Sequence, residues 1–234
     1  MKKLAVLLIV IAVIAGACMK KPRTPVVDAT CFLFAGDSIM AGMGPAIAGE
    51  LGRNSGFSFV QKGKVSSGLC RPDFYNWPVQ LQKFTEAFHP ACIFFCIGTN
   101  DTQPMRINGR ILEFKSKEWQ NEYRRRVEEI INIARRSGAD IIFVSPPIMG
   151  RKGLGPNVDY INGIIKNTCI RNHVFYIDLW HYLADEHGQY QRYDYDGTPL
   201  RAKDGVHVTP HGNRKLARAV LQTAKKYSLL PSTH

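Results

Sequence analysis

A disulfide framework, a clear membrane span and a nucleotide-binding signature are all missing from this sequence, and each absence narrows what the protein can be. Cysteine occurs six times; with Cys18 set apart five remain, an odd number: Cys31, Cys70, Cys92, Cys96 and Cys169. Cys31, Cys92 and Cys96 fall in apolar, strand-like runs, where free cysteine behaves as a small hydrophobe. Cys92 and Cys96 cannot bridge along one extended strand, because the length of strand between them exceeds the reach of a disulfide. No period of about 20 to 50 residues repeats and no low-complexity tract appears, so repeat architectures are excluded. Gly42-Met43-Gly44 lacks the third glycine of a dinucleotide fingerprint, and Gly63-Lys64-Val65-Ser66 lacks the preceding glycine of a phosphate loop. No nucleic-acid motif is present. His181, Asp185 and His187 lie close together without a metal spacing and read as surface residues at a helix end. No metal or organic cofactor is expected.

Acidic residues are also in deficit. Lys and Arg number 31 against 19 Asp and Glu, a formal charge of +12; without Lys2 and Lys3 the balance is 29 against 19, or +10. Such a surplus favours anionic partners: acidic glycans, cell-wall polymer or anionic lipid headgroups. The charges are scattered, and Arg124-Arg125-Arg126, beside Glu122, Glu128 and Glu129 in a helical pattern, reads as a solvated helix face.

The N-terminus carries a targeting pattern. Lys2 and Lys3 precede an uncharged run from Leu4 to Ala17, too short to span a bilayer comfortably and laid out as the core of a signal peptide. Ile14-Ala15-Gly16-Ala17-Cys18 resembles a bacterial lipobox, in which Cys18 is lipidated and becomes the mature N-terminus. Ordinary cleavage after Ala17 and an uncleaved anchor are the alternatives. The expected division is a signal peptide over 1–17, a tether over 18–28 and one domain over 29–230, exported to the periplasm or cell envelope.

Beyond the tether the chain alternates. Apolar, β-rich runs cover Thr30–Ala35, Phe57–Gln61, Ala91–Ile97, Asp140–Ser145 and His173–Leu179. Helical patterns lie near Gly44–Leu51, Trp77–Phe88, Ser116–Ser137 and Asn157–Arg171, and a last helix runs from Pro210 to about Tyr227 behind Thr209 as N-cap. Continuously apolar strands between helices predict an α/β fold, a flavodoxin-like three-layer sandwich on a five-stranded parallel sheet. Asn108-Gly109 within Met105–Phe114 and Asp196-Gly197 within Tyr190–Arg201 read as hairpin turns at the rim of a cleft, or as plain surface hairpins. Ligands in such sheets bind beyond the carboxyl ends of the strands, so the chemistry is sought there.

Three strand or loop ends carry reactive residues. Ala35-Gly36-Asp37-Ser38 places a serine on a strand-to-helix turn, near the positive end of a helix dipole, which favours an anionic transition state. Ile97-Gly98-Thr99-Asn100-Asp101 offers an amide, Asn100, able to donate to a developing oxyanion. In Asp204-Gly205-Val206-His207 the glycine permits a tight turn, so the carboxylate can reach the ring nitrogen facing away from the serine. Asp37 and Asp101 are expected to brace their loops through backbone amides. His211, inside the last helix, is expected at the surface. Tyr75 and Trp77 are candidates for stacking on a sugar ring or, equally, for core packing.

Gly36-Asp37-Ser38, Gly68, Gly98-Thr99-Asn100-Asp101 and Asp204-Gly205-Val206-His207 together resemble, in order, the four blocks of the SGNH (GDSL-type) hydrolase superfamily. The stretch from Ser66 to Pro78 is similar to a bacterial branch catalogued as a domain of unknown function and tied loosely to cell-envelope glycans. Block two lacks the asparagine that often stands near its glycine. The resemblance implies Ser38 as nucleophile, His207 as general base and Asp204 as its orienting acid. It implies an oxyanion hole from the backbone amides of Ser38 and Gly68 with the Asn100 side chain. The expected function is that of an exported serine esterase removing short acyl groups from envelope glycans. Acyl transfer to a glycan hydroxyl, a lipase-like esterase and a glycan-binding lipoprotein without turnover are the alternatives.

Overall fold

The structure, a computed structural model, describes residues 30–52 and 56–230. The signal segment, the tether and Cys18 lie outside the described residues.

Seven strands and five helices follow one another among those residues. Strand β1 (Thr30–Gly36) leads into α1 (Ser38–Leu51), β2 (Phe57–Gly63), α2 (Trp77–Phe88) and β3 (Cys92–Cys96). A short hairpin of β4 (Met105–Ile107) and β5 (Arg110–Leu112) precedes α3 (Lys117–Ser137), β6 (Asp140–Val144), α4 (Gly155–Arg171), β7 (Phe175–Ile177) and α5 (Pro210–Lys226). The main sheet has five parallel strands in the order β2-β1-β3-β6-β7, as the alternation predicts. Its two faces divide the core by strand periodicity. Phe32, Phe34 and Phe94 point toward α1 and α5, while Leu33, Ile93 and Phe95 point toward α2, α3 and α4. Phe34 and Phe94 are fully buried and stack at 5.5 Å; each such ring stabilises by about 1.5–3 kcal/mol. The chain leaves β1 toward β2 on one side and returns to β3 on the other. The resulting crevice lies between the loops after β1 and β3.

Helix α1 begins six residues before the sequence pattern, Ser38 against Gly44, so the serine is its first residue. Gly42, Gly44 and Pro45 hide the start, since each weakens a helical pattern. The glycines serve packing instead: a side chain at Gly44 would come within 2.9 Å of Phe34 Cβ, and one at Gly42 within 2.8 Å of Asn213 on α5. Asp37 caps the helix by accepting from Ile39 N at 2.9 Å.

The Asn108-Gly109 turn is present, both residues at positive φ (47° and 77°), which matches the twist of the β4–β5 pair. Tyr190–Arg201 forms single bridges, Tyr193 with Pro199 and Ala184 with Tyr190, rather than a ladder. His181, Asp185 and His187 lie in turns, not at a helix end; the Asp185 carboxylate accepts from His187 N and Gln189 N. Cys31, Cys70, Cys92, Cys96 and Cys169 are free thiols, in line with the sequence.

Candidate active site

The reactive residues converge at the carboxyl edge of the sheet. Ser38 enters from the first turn of α1, and Asp204 and His207 from a tight loop that the Arg201–Val208 bridge closes, just before α5. His207 Nε2 lies 3.0 Å from Ser38 Oγ, and its Nδ1 lies 2.6 Å from Asp204 Oδ2. The other carboxylate oxygen accepts from the amides of Val206 at 2.8 Å and His207 at 2.9 Å. Burial would raise the Asp204 carboxyl, but the His207 ring and these two amides outweigh it and hold it at about 2. Asp204 is therefore an anion at neutral pH and can only accept. That places the imidazole proton on Nδ1 and leaves the Nε2 lone pair for the Ser38 hydroxyl. Gly205 makes the turn possible: its φ is +69°, and a side chain there would meet Arg151 N at 2.8 Å.

The loop is anchored by Arg201, which the sequence reading passed over. Its guanidinium is buried, donates to Ile148 O at 2.6 Å and Val206 O at 2.7 Å, and lies over the Tyr190 ring at 5.3 Å. Burial lowers its pKa to about 10, which still leaves it charged at neutral pH. Gly150 N donates to Gly205 O at 2.8 Å, so the loop after β6 and the Asp204–His207 loop are tied at two points.

The nucleophile side is fixed by buried carboxylates. Asp37 accepts from Ile39 N at 2.9 Å and Thr99 N at 3.2 Å, linking the loops after β1 and β3. Asp101 accepts from Cys70 N at 2.7 Å and from the Tyr123 hydroxyl at 2.9 Å, linking block three to block two and to α3. Both are fully buried, and burial raises both carboxyls, Asp37 to about 7. Arg126 belongs to this bracing rather than to a solvated face. It donates to Leu69 O at 2.5 Å and to Glu122 at 2.8 Å, while Arg125 alone stays exposed with Glu122 and Glu129.

Around these groups opens a cleft of about 600 Å³. Ser38, Asn100 and His207 line it, with Val65 and Ser66 from block two and Arg151 and Lys152 from the loop after β6. Asn100 Nδ2 donates one hydrogen to Ser67 O at 2.9 Å, which fixes the amide plane and leaves its second hydrogen free. Gly68 sits behind the cleft wall: a side chain on it would meet Asp101 Oδ1 at 2.2 Å, so the absence of one serves the approach of that carboxylate. Tyr75 and Trp77 line a separate cavity of about 170 Å³ with Gly68 and Arg126. Trp77 is 1% exposed, donates to Ser67 Oγ at 3.0 Å and packs edge-on against Phe95. It is a core residue, not a sugar platform. His211 is half-buried and paired with Asp194 at 3.0 Å, a carboxylate it shares with Lys215. The Arg151–Leu154 stretch replaces the two hairpins as the element shaping the rim.

A family profile described as a protein of unknown function (DUF459) matches residues 31–223. A search of curated proteins finds no sequence match. Among solved structures, the chain is similar to a GDSL-like lipase from Bacteroides thetaiotaomicron, 15% identical, TM-score 0.60, over 87% of this chain and 91% of that one. It is also similar to an aryl esterase from M. smegmatis, 15% identical, TM-score 0.59, over 85% and 99%. A carbohydrate acetylesterase from Sinorhizobium meliloti is 16% identical, TM-score 0.57, over 84% and 99%. Likeness at this level shows the fold alone, the parallel α/β sandwich that these lipase and esterase structures share with this chain.

Proposed function

The chain belongs to the DUF459 family, and from that premise we propose that it is a serine esterase acting through Ser38, His207 and Asp204. The observation that carries the reading is the continuous line of hydrogen bonds from Asp204 through His207 to Ser38, at 2.6 and 3.0 Å, on the wall of an open cleft. Ser38 Oγ attacks an ester carbonyl while its proton passes to His207 Nε2. The negative oxygen that forms is met by the free hydrogen of Asn100 and by the Ser38 backbone amide at the start of α1. His207 returns the proton to the departing alcohol, and water then attacks the acyl-enzyme by the same route. A glycan hydroxyl in place of that water would make the protein an acyltransferase with the same residues.

The substrate proposed is a short-chain ester, acetyl first, on a glycan of the cell envelope. Three observations support it. Asp204 and His207 are each about half exposed (48% of the side chain), so the reacting edge is open enough to meet a polymer. The structural neighbours include an enzyme acting on carbohydrate acetates. The signal pattern and the lipobox-like stretch ending at Cys18 support export with lipid attachment, away from cytosolic acyl donors. The test is acetate release from O-acetylated envelope glycan by purified protein, with and without an acceptor sugar. Release by the wild type and none by Ser38→Ala supports the proposal. Turnover of long-chain lipid esters alone would replace it with a lipase-like activity.

A further inference from the structure

The cleft holds two cations that the triad does not use. Arg151 and Lys152 line it from the loop after β6, next to the loop carrying His207, and both are exposed. Neither side chain has an ion pair or hydrogen bond among the described residues. The carboxylate in the same cleft, Asp204, accepts from the His207 ring and two backbone amides and makes no ion pair with either cation. The backbone beneath the pair is fixed. Gly150 N bonds Gly205 O at 2.8 Å, Leu154 N bonds Arg151 O at 3.0 Å, and the Arg151 amide packs against Gly205. Two uncompensated charges are thus carried at a set place relative to Ser38 while their side chains stay free to close on a ligand.

We infer that Arg151 and Lys152 form a subsite for an oxyanion on the substrate, a carboxylate or a phosphate, beside the bond that Ser38 attacks. The guanidinium can take such a group through two parallel N–H bonds, and the ammonium adds a point charge. The inference deepens the esterase reading, naming the neighbour of the ester rather than the ester itself, and its test is one of binding.

Ser38→Ala protein is titrated by calorimetry at low salt with trigalacturonate as the carboxylate probe and inorganic phosphate as the phosphate probe. Galactotriose serves as the neutral comparison. Adding Arg151→Ala and Lys152→Ala should weaken the tighter anion about tenfold and leave the neutral sugar unaffected. Adding Lys225→Ala and Lys226→Ala instead, an equal loss of charge at the end of α5, should change neither. The anion bound more tightly identifies which chemistry the substrate carries. Equal weakening by both pairs would show a diffuse field and overturn the subsite, as would no anion binding at all. Wild-type protein that binds the anion at this pair yet hydrolyses no ester would sink the esterase reading and leave the subsite standing.

Discussion

Asp37 and Asp204 both flank Ser38, the proposed nucleophile, and they are built in opposite ways. Asp37 is buried beside Ser38, satisfied by two amides, and pushed up to about 7 by the loss of water. Asp204 stands half in solvent and is held down at about 2 by the ring it orients. The first is a structural clamp between two loops, tolerant of either charge state because its work is done by accepting from amides. The second must be an anion, and the His207 ring and two backbone amides keep it one. The nucleophile therefore rests on a rigid interior, while the base rests on a surface loop pinned from behind by Arg201. The proposed triad is assembled from two regions of different burial.

The largest expected effect falls on the exposed half. Asp204→Asn should lower turnover of a small aryl acetate by about 10³ to 10⁴-fold, because the neutral amide no longer fixes the imidazole tautomer. Its melting temperature should fall only slightly, since the side chain is half exposed and the amide oxygen can still accept from the loop amides. A variant that kept its activity would show that His207 needs no orienting partner here. On the interior half, Asn100→Ala should cost about 10² to 10³ in turnover with KM nearly unchanged. Asn100→Asp should be worse, setting a charge against the developing oxyanion. Unchanged rates in both would reduce Asn100 to a brace for Ser67.

Arg201 sharpens the comparison, because it belongs to neither half chemically. Arg201→Met leaves the carbonyls of Ile148 and Val206 without their donor, and thermal unfolding should show a loss of about 2–4 kcal/mol. Turnover should fall about tenfold as the loop loosens. Arg201→Lys should recover only part, since one ammonium cannot span both carbonyls. Recovery of full stability by lysine would mean that charge, not the two-pronged geometry, holds the loop.

The smallest effect is one of pH. Unfolded, Asp37 ionises near 4; folded, burial raises it to about 7. Between those values the folded state holds more protons than the unfolded one, so this group makes stability fall as pH rises from about 4 to about 7. Asp204 acts in the other direction but below this window: its stabilising effect is present above about pH 4 and is lost as pH falls toward 2. Unfolding free energy measured across pH 4 to 7 should decline by about 1–3 kcal/mol more in the wild type than in Asp37→Asn. Parallel curves would show that the Asp37 proton is not coupled to folding.

The sheet was legible in the sequence, and so were the residues that meet at its carboxyl edge, because both are written locally. Continuous apolar runs mark buried strands, and each reactive block is a few residues long at a strand or loop end. What escaped depends on distance in the chain. Arg126 read as part of a solvated face and Arg201 drew no notice, because their partners, Leu69, Ile148 and Val206, are backbone carbonyls distant in the chain or unmarked by residue type. The start of α1 was masked by Gly42, Gly44 and Pro45; the two glycines follow from close packing against Asn213 and Phe34 rather than from a break. Trp77 offered two readings, and the hydrogen bond to Ser67 decides for the core. Arg151 and Lys152 did carry a signal, since they follow β6 at the carboxyl edge where ligands bind.

The central claim is that Ser38 is a nucleophile activated by His207. A fluorophosphonate probe followed by peptide mass spectrometry tests it most directly. The account predicts a single adduct, on the peptide carrying Ser38 in the wild type, strongly slowed in His207→Ala and absent in Ser38→Ala. No adduct on the folded wild-type protein, or an adduct on another residue such as Ser66 that survives in Ser38→Ala, would contradict it.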